Sequence, residues 1–317
     1  MNIVFLDRET LGDTDVETML AHIGAVKIYQ STKKNEVIDR CKESDIILTN
    51  KVRIDKEVID HCPKLKLICV TATGMNNVDL EYARYKGIGV KNVSGYSSNS
   101  VAQITLSLAL NFLAPIGYYN DYVKSGAYAQ NNSFTHLGMP IEELSNKKIG
   151  VIGLGAIGKR VAELFSAFGA KVYYYSSSGI DRSDVYERLE LDELLDYSDI
   201  ITIHAPLNSK TENLIAKDEL LKMKSSAILI NTGRGGIVNE EDLVEALKNN
   251  VIRAAAIDVY AHEPIKSNHK FLELQSDRKL ILTPHIAWAS EISRKNLMNG
   301  VVENIQDFLK KNKKANR

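Results

Sequence analysis

Three side chains in this sequence are of the types that a proton-coupled hydride reduction needs, and each follows a short apolar run. Arg234 comes after AILINT, Glu263 after AAIDVYAH and His285 after LILTP. An arginine offers a planar fork of donors that fits a carboxylate and a carbonyl together. A histidine can hand a proton to an oxygen that is gaining negative charge, or take one back, and an adjacent glutamate favours its charged form. Together they would suit the reduction of a 2-keto acid: Arg234 to hold carboxylate and carbonyl, His285 to supply the proton, Glu263 to support the imidazolium. His262 is a rival acid, ranked lower because His285 follows Pro284 directly off a strand. Singly, each has an ordinary alternative: a surface arginine between glycines, a solvated turn residue before Pro264, or a hydrogen-bonded core histidine.

Chemistry of this kind needs an element that brings the reductant, and residues 148–176, KIGVIGLGAIGKRVAELFSAFGAKVYYYS, read as that element. Ile149, Val151 and Ile152 form a short apolar strand that leads into Gly153, Gly155 and Gly158. The first glycine would make a tight turn, the second would admit a pyrophosphate close to the backbone, and the third would let the next helix lie against the strand. In that helix Ile157, Val161, Leu164, Phe165 and Phe168 recur at helical spacing, and its first amides would face the phosphates. Strand, glycine turn, amphipathic helix and second strand form the context that a dinucleotide-binding motif requires. At the end of the second strand, where a carboxylate would hold the ribose of NAD, stand Ser176, Ser177 and Ser178, with Arg182 nearby. NAD(H), NADP(H) or dual use therefore stay open. Asp258, at the end of a later strand, is placed to accept from the nicotinamide carboxamide.

Length and charge narrow the class. The 317 residues fit two domains, and 40 Lys and Arg balance 40 Asp and Glu, so there is no electrostatic case for nucleic acid or an anionic membrane. The basic end at 310–317 reads as a solvated helix end. Cys41, Cys62 and Cys69 lack metal-ligand spacing and read as buried small apolar side chains, and no metal site is expected. The opening MNIVFLDRE reads as a strand followed by charge rather than a signal peptide, which with the absence of a long apolar run points to the cytoplasm.

Strands at 2–6, 25–28, 46–48 and 67–70 alternate with helices at 16–23, 36–41 and 56–61, which describes a small doubly wound unit. After its fourth strand the turn 71–74 has backbone amides that could hold a carboxylate, although from this segment alone Gly74 reads more readily as a plain turn glycine. A strand at 90–93, a polar crossing at 94–99 and a helix at 100–112 follow. The stretch 118–139 is irregular, either an arm in a dimer or a surface loop. Beyond the glycine unit, strands at 199–204, 227–231, 253–258 and 280–283 complete a parallel nucleotide-binding sheet, and a last helix spans 291–311. The expected architecture is α/β, two doubly wound parallel-sheet domains: a flavodoxin-like substrate domain at 1–98 and 291–317, and a Rossmann nucleotide-binding domain at 99–290.

The whole chain resembles the D-2-hydroxyacid dehydrogenase family. The motifs that carry the resemblance are ATGMNNVD at 72–79, SVAQ at 100–103, GLGAIG at 153–158, HAPL at 204–207, NTGRG at 231–235, Asp258-Val259 with Glu263-Pro264, and Pro284-His285. The resemblance implies Arg234, Glu263 and His285 as the catalytic set, and Thr73, Gly74, Arg234 and Trp288 around the substrate. It implies cofactor contacts from Thr105, Gly153, Gly155, Ala156, Ile157, Gly158, Ser176, Ser177, His204, Pro206, Thr211, Thr232 and Asp258. It also implies a homodimer built through the nucleotide domain. The ending PHIAWAS is similar to the glycerate dehydrogenase or hydroxypyruvate reductase branch, which makes hydroxypyruvate and D-glycerate the leading substrate pair. Branched or aromatic 2-keto acids are the alternative substrates, and an NAD(H)-sensing corepressor-like binding protein is the alternative role. Two positions depart from the family pattern: Ser176 replaces an acidic residue, and Ile104 stands where a histidine often follows the Gln.

Overall fold

A computed structural model describes residues 1–275 and 277–315, which form two compact units. The first comprises Met1–Ser97 together with the segment from Ala289 onward, and the second comprises Ser98–Trp288.

The first unit contains β1 (Asn2–Phe5), α1 (Val16–Leu20), β2 (Ala25–Ile28), α2 (Val37–Cys41), β3 (Ile46–Thr49), α3 (Lys56–Asp60), β4 (Leu67–Val70), α4 (Leu80–Tyr85) and β5 (Gly89–Lys91). The strands form one parallel sheet in the order β2-β1-β3-β4-β5. β3 and β4 are buried along their whole length because helices cover both faces, which is why they read as unbroken apolar runs. The three cysteines are free and buried. Sequence reading did not anticipate α4, which has one buried residue, Ala83, to mark its inner face. The signal was Asp79, whose side chain accepts from the Tyr82 amide at 2.9 Å as an N-cap.

In the second unit come α5 (Ser98–Leu113), α6 (Ile116–Lys124), β6 (Lys148–Ile152), α7 (Ala156–Ala167), β7 (Lys171–Tyr175), β8 (Glu187–Arg188), α8 (Leu191–Tyr197), β9 (Ile200–Ile203), α9 (Lys217–Lys222), β10 (Ile228–Asn231), α10 (Glu240–Lys248), β11 (Ala254–Ile257) and β12 (Leu280–Leu282). The sheet order β12-β11-β10-β9-β6-β7-β8 reverses direction between β9 and β6, the place where open α/β sheets bind ligands. One core, with Phe165, Tyr174 and Ile149, fills the face beneath α5 and α7, and a second, with Leu194, Leu229, Leu243 and Phe271, fills the other. The stretch 118–139 is more ordered than expected. Its first part lies in α6, and the Tyr122 ring stacks on His136 at 3.7 Å.

The strands expected to end at His204, Asp258 and Thr283 each stop one residue earlier. Those three side chains therefore belong to the loops at the carboxyl edge. The last helix, α11 (Glu291–Ala315), belongs to the first unit, where it packs against β4. The basic end at 310–317 continues this helix to Ala315, and its side chains beyond residue 311 lie outside the described residues.

Candidate active site

β10, β11 and β12 are adjacent and parallel, so the loops that leave them open side by side at one edge of the sheet. Arg234 leaves β10, Glu263 leaves β11 and His285 leaves β12, which brings the three residues to one rim. Glu263 Oε2 lies 2.7 Å from His285 Nδ1, while Oε1 accepts from the Tyr260 amide at 3.0 Å. The carboxylate thus has one oxygen tied to its own loop and the other to the ring. That arrangement sets the ring plane and leaves Nε2 as the ring nitrogen Glu263 does not use. His262, the rival, is exposed, and Glu263 turns to His285 instead of to this neighbour. The Glu263-Pro264 peptide is cis.

Arg234 is half-buried in a loop whose shape is set by Asn231. The Asn231 amide group donates to the Arg234 carbonyl at 3.0 Å, and its Oδ1 accepts from the Gly233 amide at 3.0 Å. Arg234 Nη1 donates to the Gly233 carbonyl at 2.8 Å, which uses one of the five guanidinium donors. Gly235 lies so close to the Tyr260 carbonyl that a β-carbon there would overlap it. The arginine loop and the segment that carries Glu263 are therefore pressed together, and only glycine fits at the contact.

The glycine loop after β6 fits a dinucleotide. Gly153 turns at φ 93°, and a β-carbon at Gly158 would collide with the Gly153 carbonyl, so both close approaches require glycine. A β-carbon on Gly155, by contrast, would meet nothing within 4 Å. That open side faces the start of α7, whose N-cap, Gly155, has no side chain to bond the first amides. Uncapped helix-start amides beside an unfilled approach make an anion cradle. A bound nicotinamide dinucleotide would place its pyrophosphate on Gly155, Ala156 and Ile157 and would supply a hydride donor or acceptor.

Residues 106–287 match the family described as D-isomer specific 2-hydroxyacid dehydrogenase, NAD binding domain. This chain belongs to that family. It is accordingly an oxidoreductase of the 2-hydroxyacid class, acting on a CH-OH group with a nicotinamide cofactor. It is 37% identical to a hydroxypyruvate reductase of Blautia hydrogenotrophica, over 98% of this chain and 97% of the relative. Identity is also 37% to a glycerate dehydrogenase of Methylorubrum extorquens, covering 97% and 96% of the two chains. Among solved structures, a D-lactate dehydrogenase from Aquifex aeolicus complexed with NAD and lactic acid superposes with a TM-score of 0.84 at 30% identity, over 98% and 96% of the chains.

Several residues expected at the cofactor have their polar atoms directed into the protein. The Thr105 hydroxyl donates to the Val101 carbonyl at 2.8 Å, so the 2.9 Å contact with Thr232 is a hydrogen bond given by Thr232. That pair ties α5 to the loop of Arg234. Thr211 is fully buried and donates to the Pro206 carbonyl at 2.6 Å, which holds the turn that begins at His204. His204 Nε2 meets the Thr202 hydroxyl at 2.5 Å, and burial pushes the ring down to about 3, so it is neutral at physiological pH. Among the described residues its buried Nδ1 has no hydrogen-bond partner, which leaves an unmet polar atom in the loop beside Gly153.

Ser176 is buried and donates to the Ile180 carbonyl at 2.7 Å, so it shapes its own loop, whereas Ser177 is half-buried and Arg182 exposed. In the first unit, the Thr73 hydroxyl donates to the Val93 carbonyl at 3.2 Å, while Gly74 is half-buried in the turn after β4. Trp288 is half-buried, three residues beyond His285. Sequence reading did not single out Asn231, Tyr260 or Thr283, which hold the three loops in shape. The Asn231 and Tyr260 side chains bond backbone groups and the Thr283 hydroxyl bonds the Asp258 carboxylate, and no spacing rule announces such contacts.

Proposed function

We propose that the protein interconverts a short 2-keto acid and its D-2-hydroxy acid, with hydroxypyruvate and D-glycerate as the preferred pair, in the cytoplasm and as a homodimer. The observation that carries the reading is the 2.7 Å pair of Glu263 and His285 on the rim that also bears Arg234. In the reducing direction Arg234 holds the substrate carboxylate and polarises the ketone oxygen, and His285 Nε2 gives that oxygen its proton. In the oxidising direction neutral His285 accepts the hydroxyl proton. Glu263 stabilises the imidazolium and keeps the ring oriented. The two relatives named for hydroxypyruvate and glycerate support the substrate assignment.

Initial rates with hydroxypyruvate, glyoxylate, pyruvate, phenylpyruvate and 2-ketoisocaproate, each with NADH and with NADPH, test the reading. Hydroxypyruvate is expected to give the highest kcat/KM. A bulky apolar keto acid in first place would retain the mechanism and overturn the substrate. The same matrix reports whether the serine loop at 176–178, which has no carboxylate to repel a 2′-phosphate, admits NADPH.

The dimer reading has its own support. Ile116, Val123, Phe134, Leu137 and Ile141 leave large apolar side chains exposed on the segment around α6, Phe134 at 91%. Clustered exposed apolar side chains on a water-facing surface mark an interaction site. Light scattering is expected to give twice the 35.3 kDa chain mass, and Phe134→Asp with Leu137→Asp should return the single-chain value. A single-chain mass for the unaltered protein at micromolar concentration would reject the dimer.

A further inference from the structure

We propose that Glu240, together with His269, is a positioning residue for Glu263. The inference rests on the reading of Glu263 as the partner of the proton donor and adds the device that places it. Glu240 opens α10, six residues beyond Arg234 on the chain that leaves β10. Its carboxylate reaches across to the chain that leaves β11. Oε1 accepts from the Ala261 amide at 2.8 Å, and Oε2 lies 3.1 Å from His269 Nε2. Ala261 and His269 are the two ends of the segment that carries Glu263, so one carboxylate closes that loop at both feet.

Contacts on both ring nitrogens fix the role of His269. Nδ1 accepts from the Phe271 amide at 3.3 Å, so its lone pair lies there and Nε2 carries the hydrogen given to Glu240. Phe271 has no exposed surface and belongs to the core of this unit, which makes His269 a fixed post. The Glu240 and His269 side chains are 16% and 15% exposed, whereas Ala261, His262 and Pro264 lie exposed on the loop they close. The Tyr260–Ala261 peptide is held from two sides. Its N–H, on Ala261, bonds Glu240, and its carbonyl lies against Gly235 in the loop of Arg234. The preceding amide, on Tyr260, is the one that Glu263 Oε1 accepts from at 3.0 Å. Glu263 therefore takes its direction from an amide whose neighbour Glu240 pins. A carboxylate in the first turn of a helix also complements the helix dipole, but that effect needs neither of these bonds.

Releasing the Ala261 amide would let Glu263 move away from His285 Nδ1. Glu240→Ala is therefore expected to lower kcat for keto-acid reduction about 10- to 100-fold, the scale of a misplaced catalytic group, with KM for keto acid and cofactor within about threefold. Glu240→Gln keeps an acceptor for the Ala261 amide but turns its NH2 group on the His269 N–H, so it should recover part of that loss. His269→Asn keeps an N-cap acceptor for the Phe271 amide and gives up the bond to Glu240, and should resemble Glu240→Gln. These two variants carry the test if Glu240→Ala does not fold. The deciding measurement combines each with Glu263→Gln, which removes the carboxylate beside His285. The second substitution should then cost less than about threefold more in kcat, because both act through one side chain. Normal turnover by the Glu240 and His269 variants, or a rise in KM with kcat unmoved, would overturn the inference. A loss that multiplies with that of Glu263→Gln would overturn it as well, while the reading of Glu263 stands. If Glu263→Gln itself turns over normally, both that reading and this inference fall.

Discussion

Replacing His285 with Asn is expected to lower kcat for reduction by roughly 10²- to 10⁴-fold, the range that a positioned general acid contributes. Asparagine keeps a hydrogen-bonding side chain of similar length and removes the titrating ring, so the loss isolates proton transfer. NADH affinity, measured by quenching of protein fluorescence, should change less than about twofold, because the ring is engaged by Glu263 and not by the glycine loop of α7. A variant that turns over normally would show that another group supplies the proton, and exposed His262 would be the first to test. A variant that no longer binds NADH would show instead that the substitution had disturbed the fold. The same experiment separates an enzyme from a nucleotide sensor, since a sensor has no use for the proton.

Substitution of Arg234 should be nearly as damaging, and in a different parameter. Removing one partner of a charged, hydrogen-bonded pair costs roughly 2–5 kcal/mol. At about 1.4 kcal/mol per decade, Arg234→Ala should lose roughly 30- to 4,000-fold in kcat/KM. Arg234→Lys restores the charge without the fork, and is expected to recover no more than about tenfold of that loss. Because the guanidinium holds the substrate in the ground state as well as the transition state, much of the change should appear in KM for the keto acid, with KM for the cofactor nearly constant. Steady-state rates with a saturable keto acid over a tenfold range around the new KM check the split. A fall in kcat alone, with KM unmoved, would place Arg234 outside the binding of the carboxylate.

What could be read in advance followed from periodicity and motif context. β3, β4 and β9 announced themselves because helix-covered parallel strands must be apolar on both faces, and α7 because its buried stripe recurs at helical spacing. Elements with few buried side chains were harder. α4 is marked by its capping aspartate and one buried alanine, and the part of 118–139 that forms α6 has no buried side chain to give it a period. Of the candidate site, residue types and their place after strands pointed to Arg234, Glu263 and His285. Nothing in their sequence separation, 29 residues from Arg234 to Glu263 and 22 from Glu263 to His285, required that two of them touch.

The sequence by itself determined which residues could carry the chemistry and that parallel strands would deliver them to one edge, since composition and local pattern are properties of neighbours along the chain. Tertiary structure decided the rest. Sheet order placed β10, β11 and β12 side by side, the Tyr260 amide turned Glu263 toward His285 instead of His262, and buried hydrogen bonds drew Ser176, Thr105 and Asp258 inward. These outcomes depend on where a polar atom finds its partner once water is excluded. That partner lies up to 127 residues away, as Thr232 does for Thr105, and no local rule contains it.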